Sequence, residues 1–197
     1  MCAAGSADRS AGAQQAATPS KQGTAYTAAD VAFMQGMIGH HSQALDMCAM
    51  ASTHGAGEKV GLFCKKVIIS QRDEMALMQN WLRERGEKVP DPKGSNASDM
   101  PGMDMDGDSM LMPGMLTAAQ MKQLDAAKGA AWDSTFLMGM IQHHGGALTM
   151  VAKLFATAGA GQTAEIFGFA TGIDADQRAE IERMQGMLSS YHRRSPQ

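Results

Sequence analysis

Two His-His pairs set among methionines carry the chemistry that can be read from this chain. His40 and His41 close the segment Phe33-Met34-Gln35-Gly36-Met37-Ile38-Gly39-His40-His41, which returns 103 residues later as Phe136-Leu137-Met138-Gly139-Met140-Ile141-Gln142-His143-His144. Met37 stands three residues before His40 and Met47 seven after it, and Met140, His143 and Met150 repeat that spacing. Four of the six histidines are thus duplicated together with their thioether neighbours. Imidazole and thioether suit a soft or borderline cation, copper as Cu(I) first, with silver as a mimic of similar softness. On a helix, Met37 lies one turn before both histidines and Met47 two turns beyond His40 on the same face. Adjacent histidines point about 100° apart, which predicts one of each pair facing the bundle interior and the other nearer the rim. A site shared by the two repeats and a separate site at each are both open.

Packing alone accounts for methionine on a helix face, and a histidine in an apolar stripe is commonly a hydrogen-bonded core or boundary residue. Neither explanation reaches Met100, Met103, Met105, Met110, Met112 and Met115, six of the nineteen methionines, which fall in a stretch of Gly, Pro and Asp that cannot form a packed helix. These read as an exposed capture site. Loose thioethers must be ordered to converge, at about 1–2 kcal/mol per residue, so this set should bind more weakly than the helix ligands. Imidazole must be neutral to ligate, so the histidine sites should weaken as pH falls toward about 5.

The elements that must position these residues are helical. Aromatics make up 5% of the chain and β-branched runs are nearly confined to Val67-Ile68-Ile69. Residues 1–25, rich in Ala, Gly, Ser and Gln, read as a flexible tether, and residues 26–193 as a duplicated bundle with a Met-rich linker at 88–115. Thr27 and Asp30 form a capping-box-like start for a first helix running to about Thr53. His54-Gly55-Ala56-Gly57 turns into a second helix from about Glu58 to Arg85, stopped by Gly86. Thr117 and Gln120 cap a short helix ending near Lys128, followed by helices at about Ala130 to Ala158 and Thr163 to His192. The repeat extends into the second helix of each half, where Gln71, Glu74, Met78 and Leu82 match Gln177, Glu180, Met184 and Leu188. One hairpin cannot bury its own apolar stripe, so an all-α four-helix bundle of two hairpins is the expected fold.

A net charge of −3 and the lack of any basic run give nucleic-acid binding no support. No stretch is long and apolar enough to span a bilayer. Cys48 and Cys64 flank the first hairpin turn, where the second repeat has Val151 and Ala170. They read best as a disulfide in an oxidising compartment, with two unpaired buried thiols as the rival. Met1-Cys2-Ala3-Ala4-Gly5-Ser6 resembles a mature bacterial lipoprotein whose signal peptide was replaced by an initiator Met, with a lipid anchor at Cys2 and a periplasmic or outer-surface location. A native start would place the protein in the cytosol instead.

Enzyme chemistry finds little to stand on. No Glu has His three residues later, as a ferritin-type di-iron centre would require, and Cys-x-x-Cys, His-Glu-x-x-His, Gly-x-Ser-x-Gly and phosphate-loop motifs are missing. Glu74 and Glu180, beside Arg72 and Arg178, read as surface ion pairs. A metal-dependent redox enzyme and a metal-free interaction module stay open as competing classes.

The pattern Asp30-x-x-Phe33-x-x-x-Met37-Ile38-x-His40-His41-x-x-Ala44-x-x-Met47, copied from Asp133 to Met150, resembles the family named domain of unknown function 305. So does Pro113-Gly114-Met115-Leu116-Thr117 ahead of the second copy. The resemblance covers roughly residues 27–192. It implies a ferritin-like helical bundle, secreted or lipid-anchored in bacteria. Its CopM-like members imply copper and silver binding through Met and His in support of metal resistance. The Cys48 and Cys64 pair is a departure that the resemblance does not explain.

Overall fold

A computed structural model describes residues 26–92 and 111–192. The described residues form five α-helices and one short 3-10 turn: α1 (Ala28–Ala49), the turn Met50–Ser52, α2 (Glu58–Glu84), α3 (Ala118–Ala126), α4 (Gly129–Ala156) and α5 (Ala164–His192). Both expected capping boxes are present. Thr27 accepts from the Asp30 amide while the Asp30 carboxylate returns to the Thr27 amide at 2.7 Å, and Thr117 and Gln120 repeat the exchange ahead of α3. After α2 the chain reverses through Gly86 at φ 71°, a left-handed conformation that suits glycine.

α1 packs on α2, α4 packs on α5, and α1 crosses α4 antiparallel between the two hairpins. The crossing is close because glycine faces methionine reciprocally. The Met47 methyl lies against Gly139, and the Met150 methyl against Gly36. Each hairpin also grips the turn of the other. Asp30 at the start of α1 accepts from the Gly161 amide at 2.7 Å, and Asp133 near the start of α4 accepts from the Gly57 amide at 3.1 Å and from the Tyr191 hydroxyl. Both carboxylates are buried, so these bonds are worth more than surface pairs.

The core has two apolar halves. One gathers Phe33, Met37, Ile38, Trp81, Leu154 and Ile166; the other gathers Met47, Phe63, Trp132, Phe136, Leu137 and Met140. Trp132 and Phe136 are fully buried and stacked at 4.9 Å, and burying such side chains is worth about 2–3 kcal/mol each. Between the halves runs a polar layer: His40, His41, Gln71, His143, His144 and Gln177, all buried.

A strap formed by residues 112–117 lies across the α1/α4 crossing. Gln43 holds it through both polar atoms of its side-chain amide, Nε2 donating to the Leu116 carbonyl at 3.0 Å and Oε1 accepting from the Leu116 amide at 2.7 Å. Gln142 donates to the Gly114 carbonyl at 3.3 Å. A Cβ on Gly146 would collide with the Pro113 carbonyl, so only glycine lets the strap seat there. Met112 and Met115 therefore differ from the expected exposed set: both are partly buried in this strap, with the Met112 sulfur 3.3 Å from where a Gly36 Cβ would sit. Met100, Met103, Met105 and Met110 lie outside the described residues, as do the expected tether and Cys2.

The Cys48 and Cys64 expectation is corrected. Both are free, buried thiols inside the second core half. They pack as small apolar side chains beside Val60, Phe63 and Val67, which fits the burial habit of unoxidised cysteine.

Candidate metal centre

All four paired histidines have no solvent exposure, so the member of each pair that lies nearer the rim is buried as well. The reason is the placement of α1 and α4 at the centre of the bundle. Each has its own hairpin partner on one side and the other central helix on another, so residues about 100° apart both face inward.

The inner pair, His40 and His143, meets across the crossing with ring centroids 3.9 Å apart. His40 Nε2–H donates to the Pro113 carbonyl at 3.0 Å, and His143 Nε2–H donates to the His40 carbonyl at 3.0 Å. The outer pair turns toward the hairpin partners. His41 Nε2–H donates to the Glu74 carboxylate at 2.5 Å and His144 Nε2–H to the Glu180 carboxylate at 2.7 Å. Glu74 and Glu180 thus belong to the layer and are not surface ion pairs with Arg72 and Arg178. Arg178 pairs with Asp174 instead, at 2.7 Å.

These acceptors fix the chemistry of the rings. A carbonyl or carboxylate at Nε2 requires the proton there, so each neutral imidazole carries its lone pair on Nδ1. All four Nδ1 atoms are buried with no hydrogen-bond partner in the protein, and so are both amide atoms of Gln71 and the Gln177 oxygen. An unsatisfied buried polar atom costs about 1–3 kcal/mol, yet seven are gathered in one layer. Neutral nitrogen lone pairs of this kind are what a borderline or soft cation takes, and the carboxylates behind His41 and His144 would raise the basicity of those rings.

Burial, followed by the neighbouring His41 charge, pushes the His40 ring down to about 3. His143 is also held well below the usual histidine range, first by burial and then by His40. Burial thus favours the neutral form of both inner rings, the form that can ligate. Asp176, one turn before Glu180, has its carboxyl raised by burial and then by the charges of Glu74 and Glu180.

The thioethers flank the layer in the order expected from the repeat. Met37 and Met150 are buried in one core half, Met47 and Met140 in the other. Among the described residues no three His, Cys, Asp or Glu side chains stand close enough together to hold a metal ion. The imidazoles on the facing helices are therefore not gathered into a ready cage, and neither are the carboxylates. Glu74, Glu180, Gln71 and Gln177 were matched by the repeat but not recognised as part of the site. The usable signal was spacing: Gln71, Glu74 and Met78 recur at three and four residues and so share one helix face, whereas Arg72 and Glu74 do not.

The fold and the site together define a class: an all-α bundle of two hairpins closed over a buried histidine layer. Within it, the chain matches the family described as a domain of unknown function (DUF305) over residues 30–188, and it belongs to that family. It is similar to the crystal structure of a DUF305 fragment from Deinococcus radiodurans, with 28% identity, TM-score 0.68, and coverage of 84% of this chain and 98% of that one. A candidate secreted protein of the family from Streptomyces coelicolor is similar at 25% identity and TM-score 0.68, covering 83% of this chain and 94% of that one. CopM in its Cu(I)-bound form shares the fold at 23% identity and TM-score 0.60, with 82% and 96% of the two chains covered. CopM structures with Cu(II) and with silver share it as well. No curated protein sequence matches the chain. No described helix is long and apolar enough to cross a membrane.

Proposed function

We propose that this protein binds soft monovalent cations, Cu(I) foremost and Ag(I) by similarity, and sequesters them or hands them on without catalysing a reaction. The observation that carries the reading is the set of four buried Nδ1 atoms without partners, each on a ring already anchored through Nε2. Anchored rings lose little further freedom on coordination, and the inner pair has no proton to shed at neutral pH. Met37, Met47, Met140 and Met150 supply the thioethers, and Met112 in the strap is a further donor on the side of Met37 and Met150. Thioethers persist where thiols would oxidise. That supports a site of action outside the cytoplasm, with a lipid anchor at Cys2 as part of the same proposal.

The linker methionines Met100, Met103, Met105 and Met110 form the weaker, faster-exchanging capture set in this reading. Competition titration with Cu(I) under reducing conditions tests it. Replacing His40, His41, His143 and His144 removes the tight class, whereas replacing those four methionines by Leu lowers capacity and leaves the tight class intact. A single affinity class that survives loss of all four histidines overturns the assignment. Sustained turnover by the copper-loaded protein with a reductant and oxygen would overturn the non-catalytic part.

A further inference from the structure

Outside the histidine layer, the first hairpin holds two soft donors that the second does not. Cys48 is in the last turn of α1 and Cys64 in the second turn of α2, and both side chains are buried in one cluster between these packed helices. At the matching positions the second hairpin packs Val151 and Ala170, both buried, so the shape of a hairpin does not demand cysteine there. The thiols share their half of the core with the buried sulfurs of Met47, Met140 and Met184. Ala49, Ser52, Thr53, Gly55, Glu58 and Lys59 around the turn are exposed, and helix ends are where local opening costs least.

We infer that Cys48 and Cys64 form a second soft-cation site, separate from the histidine layer, that takes one Ag(I) or Cu(I) between two sulfurs. Two facing sulfurs from adjacent helices suit a monovalent soft ion, and the apolar wall offers nothing to a harder divalent one. The charge balance agrees. When the ion binds, one S–H bond breaks, one sulfur–metal bond forms and the proton leaves to solvent; the second thiol donates a lone pair without ionising. Cation plus thiolate is then neutral, which a buried apolar layer accepts more readily than the free thiolate. Oxidation to a disulfide would remove both donors at once, so outside the cytoplasm the site depends on burial to keep both thiols reduced.

The probe is Ag(I), which avoids copper redox chemistry, added to the reduced full-length protein in a Cys2→Ser background. The comparison is Cys48→Val with Cys64→Ala, the residues the second hairpin already uses, so folding is retained. The reduced parent is expected to bind one Ag(I) more per chain than this variant and to release a matching proton. Its two thiols should become resistant to maleimide as that ion loads, and prior oxidation should reduce binding to the variant's level. Equal Ag(I) stoichiometry in parent and variant, or thiols that label equally fast with and without Ag(I), overturns the site. Maleimide protection needs the parent alone, so it decides the question even if the variant misfolds. The increment is read in a protein lacking the four paired histidines as well. Loss of the tight imidazole class there, with the thiol increment kept, separates the two sites, and a failure of either shows by itself.

Discussion

The two hairpins present the same histidine layer twice but anchor its inner rings differently. His41 and His144 donate to equivalent carboxylates, Glu74 and Glu180, on equivalent helices. His40 instead donates to Pro113 in the strap, while His143 donates to the backbone of His40 itself. One strap cannot sit on both halves, so the duplication must break where it lies. The repeat breaks there in sequence too: Gln43, which grips the strap, is matched by Gly146, which makes room for it, and Gln142 is matched by Gly39. The symmetric residues build the layer, and the asymmetric ones fasten a cover over one side of it.

Breaking the asymmetric side should have the largest effect. Gly146→Ala drives a methyl into the Pro113 carbonyl and should cost about 3 kcal/mol, the upper range for overpacking, read as a lower Tm and a looser strap in hydrogen exchange. The inner rings should also answer to acid. His40 is near 3 when folded, against about 6.5 in the unfolded chain. The unfolded state therefore takes up protons that the native state refuses. The stability involved is complete above that unfolded value and drains away as pH falls toward 3. Denaturant titrations should find about 2 kcal/mol lost through His40 alone between pH 7.5 and pH 5, with His143 adding in the same direction. A pH-independent stability across that window would show that the inner rings are not held neutral by burial.

The symmetric side predicts equality. Glu74→Gln and Glu180→Gln should each lower soft-cation affinity by about 10–100-fold, the usual worth of a carboxylate behind a ligating histidine. The two values should agree closely in competition titrations; a large disparity would show that one hairpin dominates the site. The smallest effect has the opposite sign to the first. Gly145 has open space where a Cβ would go, so Gly145→Ala should raise stability by about 0.5–1 kcal/mol, one residue away from the most damaging change. Thermal melts of the two alanine variants test that contrast directly.

Helix positions were legible in the sequence because the local signals agreed with one another. Thr27 with Asp30, Thr117 with Gln120, and Gly86 after α2 each mark an end, and the structure places them as read. The ligand candidates on α1 and α4 were legible through duplication. Less visible was everything that depends on which face meets which helix. Both histidines of a pair are buried because α1 and α4 are central, a property of assembly and not of any one helix. Glu74 and Glu180 looked like surface residues from their charge and their neighbours in sequence, but a helix sets residues two apart on different faces. The strap escaped because Gly, Pro and Met read as loop, and only tertiary contact shows that Met112 and Met115 are held down. Cys48 and Cys64 were correctly seen as neighbours, while their bonding state was not written in their spacing.

The reciprocal grip of Asp30 on Gly161 and of Asp133 on Gly57 has one more consequence. A hairpin that carries both a carboxylate at its head and an amide donor at its turn is complementary to itself. Two copies of such a unit, related by a two-fold axis, satisfy both bonds with no third element, as in an isologous dimer. This polypeptide is in that sense a dimer whose subunits share one backbone. The segment joining them is topologically free to lengthen, to vary, or to acquire a sequence of its own without disturbing how the halves recognise each other.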